Sequence, residues 1–228
     1  MHSAYAHSRI AERRARGHIL GMHNALILLG HADPTSFNAK IAKRYAESWQ
    51  AQGGTASIVT LSELDFDPVL RLGFREKQRI EPDLERTGEA ILAAQHVVWV
   101  FPTYWASPPA IVRGFVDRLF LPGWAFRYPK DGGHGLPEGL LRGRSSRVIA
   151  TMDSPSWWYA FAHHRAIHGS FVTGTLSFCG FSPVRTTMIH NVRALEDQAR
   201  GKHLADVACV AAKDFAKLGK AVPQRLTA

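Results

Sequence analysis

Cysteine is scarce in this chain: Cys179 and Cys209 are all that 228 residues contain. Two are too few for a disulfide framework, so both are expected to be free, buried thiols of a protein kept in the reducing cytoplasm. Paired cysteine spacing and an HExxH sequence are missing, and no carboxylate cluster joins the twelve histidines, His163-His164 among them. These spacings predict no metal site. No apolar run approaches the roughly 20 residues that a membrane-spanning helix needs. Residues 1–18 carry Arg9, Arg13, Arg14 and Arg16 where a secretory leader requires an apolar segment. Neither glycine-rich phosphate signature, GxGxxG or GxxxxGKS/T, occurs, and there is no internal repeat.

What is present suits one soluble globular domain: 46% hydrophobic and 21% charged residues. The net charge is +9, of which four arginines against Glu12 in the first 21 residues supply +3. The other basic residues are scattered without an aromatic-interleaved stripe, so no nucleic-acid surface is expected. A phosphate-bearing cofactor or plain solvated charge would each account for the excess.

Residues 1–23 read as a flexible N-terminal extension, 24–220 as a single domain and 221–228 as a tail. From residue 24 strands and helices alternate. Ala25–Leu29 is a continuous apolar run, as in a parallel strand covered on both faces. An amphipathic helix is predicted from Ser36 to Gln52, ended by Gly53-Gly54. Strands follow at 56–61, 96–101, 147–151 and 184–189, and helices at 82–94, 109–120, 168–178 and 194–217. Residues 62–80 read as irregular. Residues 121–144, with six glycines and three prolines, read as a long loop. Ser154-Pro155 has the form of an N-cap followed by a first-turn proline. The pattern predicts an α/β fold with a five-stranded parallel sheet and helices on both faces. Ligands in such sheets bind beyond the carboxyl ends of the strands. The loops after the first, third and fourth strands are therefore the informative ones.

The first loop, Gly30 to Asn38 (GHADPTSFN), runs from a buried strand into a helix N-terminus, where free N–H groups and the helix dipole attract anions. His31, Ser36 and Asn38 could add donors for a phosphate; Ser36 could equally do no more than cap the helix. The second loop, Phe101 to Pro109 (FPTYWASPP), places aromatics at the mouth of a strand. That suits a planar ligand, and it equally suits a hydrophobic contact patch.

These segments, with Ser177 to Phe181 (SFCGF), resemble the NAD(P)H:quinone oxidoreductase family. The likeness covers HADPTSFN at 31–38 and FPTYWASPPAIVRGFVDRLF at 101–120, with matching order and spacing over residues 24–192. The family also contains ancillary flavoproteins of potassium-efflux systems, so an accessory subunit is a second role it supports. The resemblance implies a flavodoxin-like fold, a tightly bound FAD or FMN, and a homodimer with the active site at the interface. It implies two-step hydride transfer from NAD(P)H to a quinone or similar small electrophile. His31, Thr35, Ser36, Phe37 and Asn38 would hold the flavin phosphate and ribityl chain. Pro102, Thr103, Tyr104 and Trp105 would line its ring, with Thr151 and Asp153 at the third loop. Phe126 and Tyr128 would wall the substrate pocket.

The third loop departs from the family pattern. Where a Thr-Thr-Gly-Gly stretch is usual, Thr151-Met152-Asp153-Ser154 stands here, and side chains restrict how closely a backbone can approach a ligand. An ungapped count puts Tyr159 on the family tyrosine, while the histidine expected after it falls at Arg165, beside His164. Tyr159, assisted by His164 or Arg165, is the expected hydrogen-bond donor to the reduced flavin; alternatively Trp157, Trp158 and Tyr159 are core residues of a short helix. Asp153 or Ser154 is expected to cap that helix.

Overall fold

The computed structural model describes residues 23–219, apart from Phe74 and residues 130–134. The extension expected at 1–23 (His23 excepted) and the tail expected at 221–228 lie outside the described residues.

β1 (Asn24–Leu29), β2 (Thr55–Thr60), β3 (His96–Pro102), β6 (Ser145–Thr151) and β7 (Val184–Ile189) form one sheet in the order β2-β1-β3-β6-β7. Every neighbouring pair is parallel. The apolar runs explain the burial: β1 and β3 alternate between two cores, one on each face of the sheet. Leu26, Leu28, Val97, Trp99 and Phe101 point to one core, where α2 (Pro82–Ala93) and α3 (Ala110–Leu119) pack. Ala25, Ile27, Leu29, Val98 and Val100 point to the other, against α1 (Phe37–Ala51) and α5 (Asp197–Gly219).

Helix starts follow local chemistry. Ser36 is the N-cap of α1, its Oγ accepting from the Ala39 N–H at 3.1 Å. Pro109 precedes α3. Helix α4 (Ser156–Phe161) corrects the expected cap: Pro155 holds the N-cap position, and neither Ser154 nor Asp153 caps the helix. The helix expected at 168–178 is a π-helix over His168–Ser177, with wider-pitch bonds such as Phe178 N–H to Thr173 O at 3.2 Å. Ten residues of apolar spacing do not separate the two pitches.

After a short 3₁₀ turn at Leu61–Glu63, the described residues of 64–80 carry no helix or strand and are held by Arg118 of α3. Its buried guanidinium donates to Glu81 (2.8 Å) and to the carbonyls of Arg79 (2.7 Å) and Asp67. The stretch read as one long loop contains a short antiparallel ladder, β4 (Phe126–Arg127) with β5 (Glu138–Gly139), closed by the Arg127–Glu138 ion pair. Two-residue strands leave no periodicity to read. Cys179 is buried, and burial pushes its thiol up to about 12; Cys209 is exposed, contrary to the expectation that both are buried. Among the described residues no helix is long and apolar enough to cross a membrane, and no group of His, Cys, Asp and Glu could hold a metal.

Candidate functional site

The loops after β1, β3, β6 and β7 meet at the carboxyl edge of the sheet around a cleft of about 680 Å³. That is within the roughly 300–1,000 Å³ of small-molecule sites. Its walls are His31, Ser36, Phe37 and Asn38 from the first loop and Pro102 to Ala106 from the second. Thr151 to Ser154 come from the third, and His163 and Val192 complete it.

The first loop is organised by Asp33. Its Oδ1 accepts both the N–H and the hydroxyl of Thr35, each at 2.7 Å, and these bonds hold the Asp33 carboxyl below its ordinary value. Thr35 is thereby occupied within the loop and does not line the cleft. His31 Nδ1 accepts the Asp33 N–H at 3.0 Å. The neutral ring must then carry its proton on Nε2, a donor for an anion. Ser36 spends an acceptor position on its cap, which leaves its hydroxyl proton free beside the first-turn N–H groups of α1. Close packing behind this loop needs Gly30: a Cβ there would stand 2.3 Å from Val112 Cγ2.

The second loop is a tight reversal. Tyr104 and Ser107 exchange both backbone bonds (2.9 and 3.0 Å), and the two residues between them, Trp105 and Ala106, are left-handed, with φ of 54° and 56°. Such turns favour Asn and Gly, and each L side chain there costs about 1–2 kcal/mol. The strained turn holds up the Trp105 indole fully exposed (100%), an arrangement that suits a stacked planar ligand. The floor is stitched by Asn38 Nδ2 donating to Thr151 Oγ1 (3.0 Å) and Thr103 N–H donating to Thr151 O (2.7 Å).

Asp153 faces the cleft, but its Oδ1 accepts the Arg193 N–H at 2.7 Å and ties the third loop to the segment after β7. His190 Nδ1 donates to Ser154 O at 3.0 Å across the same junction. Tyr159 is buried one ring behind the wall, 6.5 Å from His163 between centroids. The imidazole touching its hydroxyl is His168, through Nδ1 at 3.1 Å; His168 Nε2 meets Thr186 Oγ1 at 3.2 Å. Burial raises the Tyr159 hydroxyl above its ordinary value, and burial with nearby Arg165 lowers His168. His164 is exposed with φ of 46° and does not contact Tyr159 among the described residues. The Tyr159–His168 pair is invisible to an ungapped count, although Ile167-His168-Gly169 three residues further on offers a second histidine to align. Phe126 and Tyr128 do not line the cleft. They cluster with Phe178, at 5.5 Å and 5.0 Å from Phe126, on the β4 side of the molecule.

A five-stranded parallel sheet in the order β2-β1-β3-β6-β7, with a helix N-terminus at the first loop and aromatic side chains on the second, defines a doubly wound α/β protein of the nucleotide- and flavin-binding class. The chain belongs to the protein family described as having the flavodoxin-like fold, whose match runs over residues 23–209. It is 28% identical over 182 residues to an uncharacterized NAD(P)H oxidoreductase of Haemophilus influenzae, covering 78% of this chain and 88% of that one. It is 24% identical over 212 residues to NAD(P)H dehydrogenase (quinone) 1 of Cavia porcellus, covering 81% and 74%. Among solved structures it superposes on an FMN-dependent NADH-azoreductase of Bacillus anthracis in complex with FMN. That match has a TM-score of 0.61 and 18% identity, over 86% of this chain and 99% of the other.

Proposed function

We propose that the protein is a flavin-dependent NAD(P)H oxidoreductase that passes hydride in two steps to a quinone or similar electrophilic small molecule. The observation that carries this reading is the convergence on one cleft of an anion-binding helix start, a strained turn presenting Trp105, and the third loop. The donor set fits a flavin, FAD or FMN. The free N–H groups at the start of α1, with His31 and Ser36, would hold its phosphate, and Pro102 to Trp105 would line its ring. A bound flavin would supply a two-electron store that accepts hydride and releases it.

The chain's own groups do the positioning. Phe37 and Asn38 support the tail, and Trp105 presents a stacking face that keeps water from the ring. Tyr159 acts through its hydroxyl with His168 as its partner imidazole. Tyr159 would act from behind the cleft wall: when His168 Nδ1–H donates to the phenol oxygen and Thr186 donates to Nε2, the Tyr159 proton is left free to support the charge that develops in the cleft. His164 has no part in this arrangement.

The chain works as a homodimer in the cytoplasm. Trp157 and Phe161 of α4 are exposed at 60% and 77%, a large apolar area beside the cleft for a second copy to cover. Phe126 and Tyr128, being outside their own chain's cleft, would wall the partner's.

The test is an absorption spectrum of the purified protein, with mass identification of the released flavin, followed by anaerobic mixing with NADH or NADPH. Bleaching and reoxidation by a quinone are expected. A yellow protein inert to both nicotinamides would indicate an accessory subunit, and a colourless protein that takes up neither FMN nor FAD would overturn the reading. Tyr159→Phe is expected to slow bleaching tenfold to a hundredfold, the worth of one hydrogen bond to a charged group, about 1.5–3 kcal/mol.

A further inference from the structure

His163 lines the cleft, and its local structure is unusual. Helix α4 ends at Phe161, and the chain then reverses through two consecutive left-handed residues, His164 (φ 46°) and Arg165 (φ 51°). Neither is glycine. Strain of this kind persists only where surrounding contacts hold it, and it concentrates at functional sites. Arg165 N–H bonds back to Tyr159 O at 3.0 Å and Ala166 N–H to His163 O at 2.9 Å. The outcome of the reversal is that the side chains of His164 and Arg165 are exposed while His163 joins the cleft wall with Asp153 and Ser154.

The ring is also oriented. The Trp158 indole Nε1–H donates to His163 Nε2 at 3.2 Å, and the two rings meet edge to face, 6.2 Å between centroids. An indole nitrogen only donates, so Nε2 must accept and the neutral imidazole carries its proton on Nδ1. Among the described residues that Nδ1–H has no partner. A defined donor is thus left available at the wall of a cleft whose other aromatic side is Trp105.

We propose that His163 is a specificity residue for the electron acceptor: its Nδ1–H donates to an oxygen of the acceptor, with Trp158 as the positioning residue that sets the tautomer. The inference rests on the oxidoreductase reading above and narrows it to aromatic acceptors bearing a carbonyl or nitro oxygen. For a quinone, reduction to the hydroquinone takes up one hydride, supplied by NAD(P)H by way of the flavin, and one proton from solvent. Charge collects on a carbonyl oxygen as the hydride arrives, and an N–H aimed there lowers the barrier as well as fixing the pose.

The experiment titrates oxidised, flavin-loaded protein with 1,4-naphthoquinone and with naphthalene, which has the same rings and no oxygen, following tryptophan and flavin fluorescence. His163→Leu is expected to weaken naphthoquinone about tenfold while naphthalene changes less than twofold. His163→Asn places an amide N–H at the Nδ1 position, so it should restore most of that affinity; His163→Gln, which extends to the Nε2 position, should not. In Trp158→Phe, the histidine ring ¹⁵N signals should show loss of a single Nδ1–H tautomer. A His163→Leu protein that binds naphthoquinone as tightly as wild type, or an Asn variant as weak as Leu, overturns the proposal. Failure of the wild-type protein to bleach with either nicotinamide is a separate result and would remove the oxidoreductase reading instead.

Discussion

Acidification should destabilise this protein through one buried imidazole, far from the cleft. His96 begins β3 at the opposite edge of the sheet and is fully buried. Tyr45 donates to Asp214 Oδ2 at 2.8 Å, so its oxygen accepts from His96 Nε2 at 2.9 Å, and His96 Nδ1 accepts from Ser145 at 2.7 Å. Protonating the ring would place a charge in the core and reverse the Ser145 bond. Burial lowers His96 from the ordinary 6.5 to about 4, with Asp214 opposing that shift and Arg147 and Arg185 adding to it. The folded value lies below the unfolded one. The stabilisation is therefore complete above pH 6.5 and is lost as pH falls through about 4. At about 1.4 kcal/mol per pKa unit, the loss over that window is about 3 kcal/mol, a large part of the roughly 5–15 kcal/mol that holds a domain together. Asp214 is separable, because its carboxyl, buried yet bonded to Arg147, lies below 3.8 and loses its contribution only at lower pH. Urea unfolding at a series of pH values reads the effect. With a slope of about 1–3 kcal/mol per molar, the midpoint should fall by roughly 1–3 M between pH 7 and pH 4. His96→Gln keeps a donor for Tyr45 but cannot take up a proton, so its midpoint should fall less over the same range. Parallel curves for the two proteins would refute this assignment.

Two substitutions test the cleft. Trp105→Gly should act with opposite signs on two measurements. It raises the stability of the flavin-free protein by relieving about 1–2 kcal/mol of left-handed strain. It also weakens flavin binding up to about tenfold by removing a stacking ring worth about 0.5–1.5 kcal/mol; a thermal scan and a flavin titration check the two halves, and changes of the same sign would contradict the role given to the turn. Gly30→Ala would force a methyl to within 2.3 Å of Val112 Cγ2 and 3.0 Å of Phe101 Cβ. It should cost about 1–3 kcal/mol and lower the unfolding midpoint; an unchanged midpoint would mean that α3 yields at no cost.

The elements most legible in the sequence were those governed by neighbours along the chain. Ala25–Leu29 could be read as a buried strand because a continuous apolar run has few other stable placements. Ser36 could be read as a helix cap because its acceptor lies three residues away. The first and second loops were legible as one site because strand order puts their carboxyl ends side by side.

What only the tertiary structure decided was pairing at long range. Asp153 was expected to cap the helix beside it, and its partner is a backbone N–H 40 residues away. Tyr159 meets His168, nine residues on, because two left-handed residues and a π-helix alter the spacing that a linear count assumes. Arg147 and Asp214, 67 residues apart, look like surface charges until folding buries them against each other. A polar group removed from water must find a partner wherever the fold brings one. Apolar periodicity is written locally; the partner of a buried donor or acceptor is known only once the chain is packed.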